Sequence, residues 1–584
     1  MKKDGHQGGK KIDNLLQKMK KGLYLFLIII AAFIVRAIGI NYGLPFAYHD
    51  DEPILVNYAL AYGMGDFNPH FFNISPFLTY CLFFLYGIFF VVGRIFGLFH
   101  STKDFAYLYL NNPTPFYLIG RVLFGLICGT LSVFFLYIAG KKYFGKKVAL
   151  LAALFLAFNF LHVRDSHYLY FDIPLTLCTL IFFWKTYSFF SPARKIDYIA
   201  LGALFGMAVS VKYQGVSLLL PFIVIIFYNF AISKNTKLTD RISFIAWSGS
   251  ACLAVIFIGN PFLFLNLKEF VNSVHDLPYM PVSPLYHLRV SLLNGCGTLM
   301  VISGIIGMLW ALIRRNRSFI IAAYTIFYYF LITKAAQPGE RLVLPIVPFL
   351  LLFASFVIIE IYNAIENRAL AVIASSLLVM ILIYPSFIMT YQSDLLFLKE
   401  DTRTQAYRWI KENIEPKSKI ALDATSSGFP RLEKDKEQIK ELESYLGSTT
   451  FRKPVKSADA KLKFMLENPS YPKSAYYLFY LRSVTTGGFL SIYPSINVRY
   501  AEIEAKKIDF AVLSNMLAGV EFNDFVNEIA GHSTLLKTFS PYKEDAPNRK
   551  SLEMTSVPAA AFMERELFDR KSYGPCIKIY QIKK

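Results

Sequence analysis

The sequence has 584 residues, of which 55% are hydrophobic and 17% are charged, and its formal net charge at pH 7 is +20. Repeated apolar runs of about 18 residues or more are typical of membrane spans, so the composition argues against a soluble globular protein. The positive charge does not indicate a nucleic-acid partner, because the basic residues form short clusters between apolar runs, as cytoplasmic loops do.

The N-terminal segment is basic over residues 1–22 and is followed by an apolar run over 23–40. We predict an uncleaved first span, because the run is long and "RAIGINYG" lacks a small-residue cleavage site. The basic N-terminus belongs in the cytoplasm by the positive-inside rule, which places the acidic loop "YHDDEP" (48–53) outside.

Two apolar runs, 76–99 and 116–140, separate this outer loop from the basic cluster "KKYFGKK" (141–147), which we predict to be cytoplasmic. An odd number of crossings must lie between them, so only one of the two runs crosses. We assign 76–99 to an interfacial helix, because it follows "NIS" and contains Gly87 and Arg94.

The later apolar runs alternate consistently with their flanking charges. With the first span and 116–140 they give about eleven spans, with the N-terminus inside and the C-terminus outside. These further predicted spans are 147–163, 173–190, 198–211, 216–230, 242–260, 288–313, 319–333, 342–362 and 369–390.

The tail, 393–584, is polar and mixes two periodicities. "DTRTQAYRWIKENI" has apolar residues at helical spacing, whereas "SKIALDA", "KKIDFAVLSN" and "CIKIYQI" are typical of strands. The sequence therefore predicts a mainly α, polytopic membrane protein. It has a cytoplasmic N-terminus (1–22), a transmembrane region with added interfacial helices (23–392) and an extracytoplasmic α/β domain (393–584).

This topology collects nearly all unusual polar residues of the membrane part on the outer side. Carboxylates there can deprotonate an attacking hydroxyl, and cations can neutralise a leaving phosphate. The set fits glycosyl transfer from a lipid-linked sugar phosphate, and the sequence contains no Walker A or Rossmann glycine fingerprint for a nucleotide. The candidates are Asp50, Asp51, Glu52, Asp165, His167, Asp172, Lys212, Tyr213 and Arg341.

Structural roles for the same residues remain open. Acids after a first span can simply be solvated, and Asp172 also fits a helix N-cap followed by Pro174. Asp165 has Arg164 as a neighbour for an ion pair, Lys212 has the reach to snorkel to the interface, and Arg341 is adjacent to Glu340.

Several motifs resemble the GT-C membrane glycosyltransferases, in the branch of the protein O-mannosyltransferases and the lipid A aminoarabinose transferase. "YHDDEP" resembles the acidic motif of the first loop, although Asp50 stands where Pro is common. "DSHYLYFDIPLT", "VSVKYQGVSL" and "RLVLPIVPFL" resemble later motifs, although Leu342 stands where Tyr is common, and "FFNISPF" lacks the Lys that contacts phosphate in aminoarabinose transferases.

The resemblance implies roles for these residues. Asp51 would be the base or acceptor-orienting carboxylate, Glu52 would position it, and Asp172 would be a second active-site acid. Lys212 and Arg341 would hold the phosphate of a polyprenyl-phosphate sugar. Asp50, Asp165, His167 and Tyr213 complete the predicted substrate site.

The implied reaction is an inverting transfer to an extracytoplasmic protein, glycan or lipid, with no metal and no cofactor. Six cysteines without paired spacing also argue against a zinc site or a disulfide framework. Two alternatives remain: a transporter or flippase of lipid-linked or anionic solutes, and a non-catalytic subunit of envelope glycan assembly. A transporter would need polar groups at several depths, whereas charges within the predicted spans are scarce.

Overall fold

The computed structural model describes residues 22–234, 236–275, 282–314, 316–334, 339–423, 428–448, 455–482, 495–515, 520–547, 549–554 and 566–583. Apart from Gly22, the predicted cytoplasmic N-terminus lies outside these residues.

The chain divides into two compact units, and one division falls at Tyr391/Gln392, beside the predicted boundary at 392/393. The first unit contains Met1–Ile40, Phe71–Tyr80 and Gly120–Tyr391. The second contains Asn41–His70, Cys81–Ile119 and Gln392–Lys584. Segments that precede residue 120 therefore fold together with the tail.

Helices account for most of the chain as far as residue 397, in agreement with the predicted mainly helical fold. A π-helical turn, Arg121–Ile127, joins the fifth helix to the sixth. In chain order these helices are α1 (Gly22–Ala37), α2 (Glu52–Ala61), α3 (Phe77–Ile95), α4 (Thr102–Asn111), α5 (Thr114–Gly120), α6 (Cys128–Phe144), α7 (Lys146–Ala157), α8 (Phe160–Asp165), α9 (Asp172–Thr186), α10 (Lys195–Val211), α11 (Leu219–Ile232), α12 (Leu238–Gly259), α13 (Phe262–Leu265), α14 (Leu267–His275), α15 (Leu293–Cys296), α16 (Thr298–Ile313), α17 (Phe319–Ile332), α18 (Val347–Ala364) and α19 (Arg368–Phe397).

Within the described ranges, seven helical stretches are long and apolar enough to cross a membrane, or eight if a bent pair counts as one span. Two shorter apolar helices, α1 and α17, add to these. Phe77–Ile95 is among the seven by length and composition, so its assignment to the interface stays a prediction, as does the total of eleven spans. Large apolar side chains such as Leu253, Phe257 and Ile258 on α12 are exposed, which suits contact with lipid.

Two helix breaks in the first unit, and the proline within α19, share one group of polar contacts. The pair His287–Cys296 and Thr298–Ile313 is bent by 110°, and Gly297 provides the turn with a φ of 90°. Asn159, at the break between α7 and α8, donates from its amide to the Gly295 carbonyl oxygen at 3.4 Å. Ser386, next to Pro385 within α19, accepts from the Phe160 amide at 2.7 Å and donates to the same Gly295 oxygen at 3.4 Å.

The tail contributes a six-stranded sheet to the second unit. Its order is β3-β2-β1-β4-β6-β5, in which β1 to β4 run parallel, while β6 is antiparallel to both β4 and β5. The strands are β1 (Lys419–Asp423), β2 (Tyr477–Arg482), β3 (Ser495–Asn497), β4 (Phe510–Ser514), β5 (Ser533–Phe539) and β6 (Ile577–Ile582). The helices are α20 (Thr402–Asn413), α21 (Lys436–Ser448), α22 (Val455–Glu467), α23 (Tyr500–Ala505), α24 (Val520–His532) and α25 (Arg549–Met554).

Both faces of the central strands β1 and β4 are buried, which explains why these strands are nearly continuous apolar runs. Ile420 and Leu422 of β1 pack on one face with Ile410 of α20. Ala421 packs on the other face with Ile529 of α24. The strands predicted from "SKIALDA", "KKIDFAVLSN" and "CIKIYQI" are present as β1, β4 and β6.

The loop after α1 is anchored within the second unit. The Tyr42 hydroxyl donates to the Asp401 carboxylate, which also accepts from the Arg403 guanidinium Nε and Nη2, each at 2.8 Å. Burial opposes ionisation of Asp401, but Arg403 and Tyr42 hold its pKa below the ordinary value. The Arg403 guanidinium lies 3.9 Å from the ring centroid of Tyr48, which fixes a second point of the loop.

Candidate active site

The predicted site residues fall into both units, and each group has its own geometry. The second unit holds Asp50, Asp51 and Glu52. The first unit holds Asp165, His167, Asp172, Lys212, Tyr213 and Arg341.

The loop before Asp172 packs directly against the backbone of the fifth and sixth helices. Gly125 lies in the π-helical turn, and a Cβ atom there would collide with the carbonyl oxygen of Ser166. A Cβ at Gly120 would lie 2.6 Å from a methyl carbon of Leu169. Small residues at these points allow the loop to lie against the helix surface, and α9 then begins at Asp172.

Asp172 is 2% exposed and lies next to two cations from distant parts of the sequence. The Lys212 ammonium, at the end of α10, donates to Asp172 Oδ1 at 2.6 Å. Arg341, in the short turn Glu340–Val343 before α18, places its Nε 3.6 Å from Asp172 Oδ2. One carboxylate thus faces two cations, which leaves one net positive charge in this group.

Tyr170 supports both cations from one side. The Arg341 guanidinium carbon lies 3.9 Å from the Tyr170 ring centroid, and Lys212 Nζ lies 5.6 Å from it. The electron-rich face of an aromatic ring attracts cations at these distances. Arg341 is the more accessible of the two cations, at 29% side-chain exposure against 13% for Lys212, so Arg341 is better placed to meet a ligand.

A second ion-pair chain runs beside the first. Arg164 lies 3.0 Å from Asp165 and 3.0 Å from Glu340, through different nitrogens. Burial raises the pKa of Glu340 above its ordinary value, although Arg164 acts in the opposite direction. Since Glu340 and Arg341 are consecutive, the Arg164 pair holds the turn from which Arg341 extends.

His167 and Tyr213 are held by backbone groups. His167 is 1% exposed, and its ring nitrogens lie 2.9 Å from the Val163 carbonyl oxygen and 2.8 Å from that of Ile38. The Tyr213 hydroxyl donates to the Ile74 carbonyl oxygen at 3.4 Å. These contacts fix the loop positions of both residues, and their roles in substrate binding stay predictions.

The three acids of the first loop have different environments. Asp50 is exposed, Asp51 is half-buried, and Glu52 is fully buried as the first residue of α2. The Asp51 amide donates to His49 Nδ1 at 3.2 Å, and the Asp51 side chain does not cap the helix. Of the three, Asp51 therefore combines partial burial with access to a ligand.

Sequence reasoning identified Asp172, Lys212 and Arg341 but missed two residues that hold them. Tyr170 gave a signal, as an aromatic residue two positions before a membrane-edge acid, but aromatic residues are too common here for that signal to stand out. The sequence indicated Arg341 as the ion-pair partner of Glu340, whereas Glu340 pairs with Arg164. In the described part of the chain, no group of three or more His, Cys, Asp and Glu residues is arranged to hold a metal.

Comparison with known proteins places this geometry in context. Residues 117–260 match the family model described as dolichyl-phosphate-mannose-protein mannosyltransferase, a segment that includes Asp172 and Lys212. No curated protein matches the sequence.

Solved structures are similar over most of the chain. ArnT from Cupriavidus metallidurans in the apo state has a TM-score of 0.50 and 13% identity, covering 89% of this chain and 96% of ArnT. The same protein bound to undecaprenyl phosphate has a TM-score of 0.49 and 13% identity, covering 88% and 95%. The apo oligosaccharyltransferase of Archaeoglobus fulgidus has a TM-score of 0.46 and 12% identity, covering 86% and 70%. The predicted resemblance to the protein O-mannosyltransferase branch is confirmed over residues 117–260 by the family match, and the fold is similar to that of apo ArnT.

Proposed function

We propose that this protein is an integral membrane glycosyltransferase that moves a sugar from a polyprenyl-phosphate carrier to an acceptor outside the cytoplasm. The observation that carries the proposal is the cation pair of Lys212 and Arg341 at Asp172. Lys212 and Asp172 also lie inside the segment that matches the mannosyltransferase family model.

The chemistry follows from these charges. An acceptor hydroxyl attacks the anomeric carbon, a new carbon–oxygen bond forms, and the bond from that carbon to the phosphate oxygen breaks with inversion. Asp51 takes the proton of the hydroxyl, and Glu52 holds the loop from which Asp51 extends. Lys212 and Arg341 neutralise the charge that develops on the leaving phosphate.

Asp172 serves this reaction indirectly in the proposal. Its carboxylate is 2% exposed and holds the two cations in place before a ligand arrives. Cations that are already oriented need no reorganisation during the reaction, which is the basis of electrostatic preorganisation. The proposed location is the cell membrane, with the acidic loop and the tail on the extracytoplasmic side.

The test compares two carboxylates of the second unit in the full-length protein, one inside and one outside the predicted site. We expect Asp51→Asn to lower transfer by about 10²- to 10⁴-fold, the usual contribution of a general base. Asp545→Asn is the matched control, because it makes the same chemical change at an exposed residue of the same unit that lies outside the predicted site, and it should retain transfer within about twofold. The measurement is mass analysis of surface glycans in a deletion strain that expresses each variant, with thermal unfolding in detergent to verify folding.

Equal product from the Asp51→Asn and Asp545→Asn strains would refute the assignment of the base. A deletion strain with unchanged glycans but altered sidedness of lipid-linked sugars would favour the transporter alternative instead.

A further inference from the structure

A short amphipathic helix, α14 (Leu267–His275), follows the end of α12 that lies beside Lys212. Asn260 ends α12 and donates from its side-chain amide to the Ser210 carbonyl oxygen at 3.3 Å, two residues before Lys212. The segment that leads through α13 to α14 therefore begins next to the end of α10 that carries this cation. All of these residues belong to the first unit.

One side of α14 packs on the protein. The Phe270 ring meets the Phe72 and Tyr213 rings edge-on, with centroid distances of 6.0 Å and 5.7 Å. The Glu269 carboxylate accepts from the side-chain amide of Asn266, in the turn before the helix. These contacts fix the rotation of α14 about its own axis, so the directions of its other sides are determined.

The remaining surface of α14 is exposed and consists of an apolar stripe beside a polar stripe. Both stripes have the spacing i, i+4, i+7 that places side chains along one face of a helix. The apolar stripe contains Leu267, Val271 and Val274. The polar stripe contains Lys268, Asn272 and His275. A short helix with two such exposed stripes is typical of an element at the boundary between hydrocarbon and water.

The apolar stripe continues the lipid-facing surface of α12. Phe257 of α12 and Phe264 of α13 are both exposed, and their ring centroids are 5.7 Å apart. Leu265, the next residue along the chain, is exposed as well and leads to Leu267 at the start of α14. Exposed apolar side chains therefore connect the membrane-spanning helix to α14.

We propose that the apolar stripe docks α14 on the acyl chains of membrane lipids at this end of α12, in the leaflet that the predicted topology makes the outer one. The polar stripe then faces the headgroups and water, so each exposed side has the surroundings that suit it. The occupant is lipid, because the stripe continues a surface that faces hydrocarbon in every copy of the protein.

Docking of α14 has a consequence for donor binding, and this consequence rests on the proposed function. Phe270 contacts the ring of Tyr213, which directly follows Lys212, and the Lys212 ammonium donates to Asp172. Lipid on the exposed side of α14 holds Phe270 against Tyr213. The placement of Lys212 for the donor phosphate therefore depends on the membrane contact of this helix.

The experiment measures the surroundings of the two stripes in the full-length protein. A fluorescent amino acid is placed at Val274 or, as the matched control, at Asn272, in vesicles of phosphatidylethanolamine and phosphatidylglycerol. Two residues correspond to about 200° around a helix, so the two probes point in nearly opposite directions. We expect nitroxide-labelled acyl chains to quench the probe at 274 at least about threefold more than the probe at 272, and aqueous iodide on both sides of the membrane to show the reverse order.

Equal quenching of both probes by the labelled lipids, or stronger quenching by iodide at 274 than at 272, overturns the proposal. Protection of the probe at 274 from both quenchers also overturns it, because a protein partner or a second copy would then cover the stripe.

A kinetic comparison tests the support of Lys212. Val274→Asp places a charge on the apolar stripe, and Asn272→Asp places the same charge on the polar stripe. We expect Val274→Asp to raise the KM for the donor about fivefold with kcat within about twofold, because the charge weakens docking and leaves the Lys212–Asp172 pair in place. Asn272→Asp and the conservative Val274→Leu should keep both constants within about twofold.

Thermal unfolding in detergent should give the same midpoint for the two Asp variants, because no bilayer supports α14 there. An unchanged KM in Val274→Asp protein would refute the support of Lys212 by the docked helix. Normal glycans from the Asp51→Asn strain, together with lipid quenching of the probe at 274, would refute the transferase while leaving the docking surface in place.

Discussion

A single buried carboxylate organises the cations of the first unit. An unpaired charge at 2% exposure would cost several kcal/mol, so Asp172 holds Lys212 and Arg341 close to it. Tyr170 adds a rigid surface under the guanidinium, and this surface restricts where Arg341 can point. Arg341 therefore depends on two neighbours, of which one is ionic and the other aromatic.

The aromatic contribution can be isolated at Tyr170. We expect Tyr170→Leu to raise the KM for the polyprenyl-phosphate donor about fivefold to tenfold, because the loss of a partly desolvated cation–π contact costs about 1 kcal/mol or slightly more. Tyr170→Phe keeps the ring and should leave KM within about twofold. Donor-dependent transfer in purified membranes measures both, and an equal effect of the two variants would contradict a role for the ring face.

Residue identities were easier to predict than residue pairs. Asp172, Lys212 and Arg341 were recognisable because each is polar at the edge of an apolar run. Their pairing was not, because ion pairs between α9, α10 and the turn before α18 depend on how the helices pack. Arg341 has Glu340 as its sequence neighbour, but Glu340 is 3.0 Å from Arg164 and Arg341 extends to Asp172.

At the level of elements, glycines on one helix surface determine where the loop before Asp172 lies. Gly125 allows the backbone of the π-helical turn to approach the Ser166 carbonyl oxygen. Gly129, one turn further along, lies against Ser166 and against the guanidinium of Arg36. The position of α9, and with it Asp172, follows from this close approach.

Gly125→Ala tests that dependence. The added methyl group collides with backbone, so the loop must shift, and we expect a loss of transfer of at least tenfold and a lower unfolding midpoint. Gly249→Ala in α12 is the matched control, because a Cβ atom there has nothing within 4 Å. Its higher helix propensity should leave the midpoint unchanged or slightly raised, and a similar loss in both variants would show that the close approach is unimportant.

At the scale of the whole molecule, each of the two compact units is assembled from separate segments of the sequence. The composition changes near residue 392, yet Asn41–His70 and Cys81–Ile119 group with the tail. Tyr42 bonds to Asp401, Phe46 packs on Tyr407 with ring centroids 4.7 Å apart, and Lys103 pairs with Glu467 at 3.0 Å. Hydropathy shows where apolar runs end, so the helices and several strands were predictable. The grouping of residues 41–70 and 81–119 with the tail was not predictable, because it depends on long-range contacts that leave no local pattern in the sequence.

Truncation after residue 391 should therefore disturb more than the tail. Without Asp401 and Arg403, Tyr42 and Tyr48 lose the polar partners that their burial requires. We expect limited proteolysis to cleave the truncated chain within 41–119 much faster than the full-length chain. Co-expression of residues 392–584 as a separate chain should restore protection, and equal protection of the truncated chain alone would contradict the division into these units.

The hydrogen bonds that join two helix breaks to Ser386 of α19 have a consequence for how these helices tolerate insertions. Asn159, Gly295 and Ser386 satisfy one another's hydrogen bonds, so irregular backbone is confined to a place where hydrocarbon cannot reach it. An insertion that lengthened any one of these helices would separate Asn159, Gly295 and Ser386 from one another. Several backbone peptide groups would then lie in the hydrocarbon region without a hydrogen-bond partner. These hydrogen bonds therefore restrict the lengths of the helices that carry them. We expect homologous proteins that retain the three residues to have insertions and deletions only in other parts of these helices or in the loops.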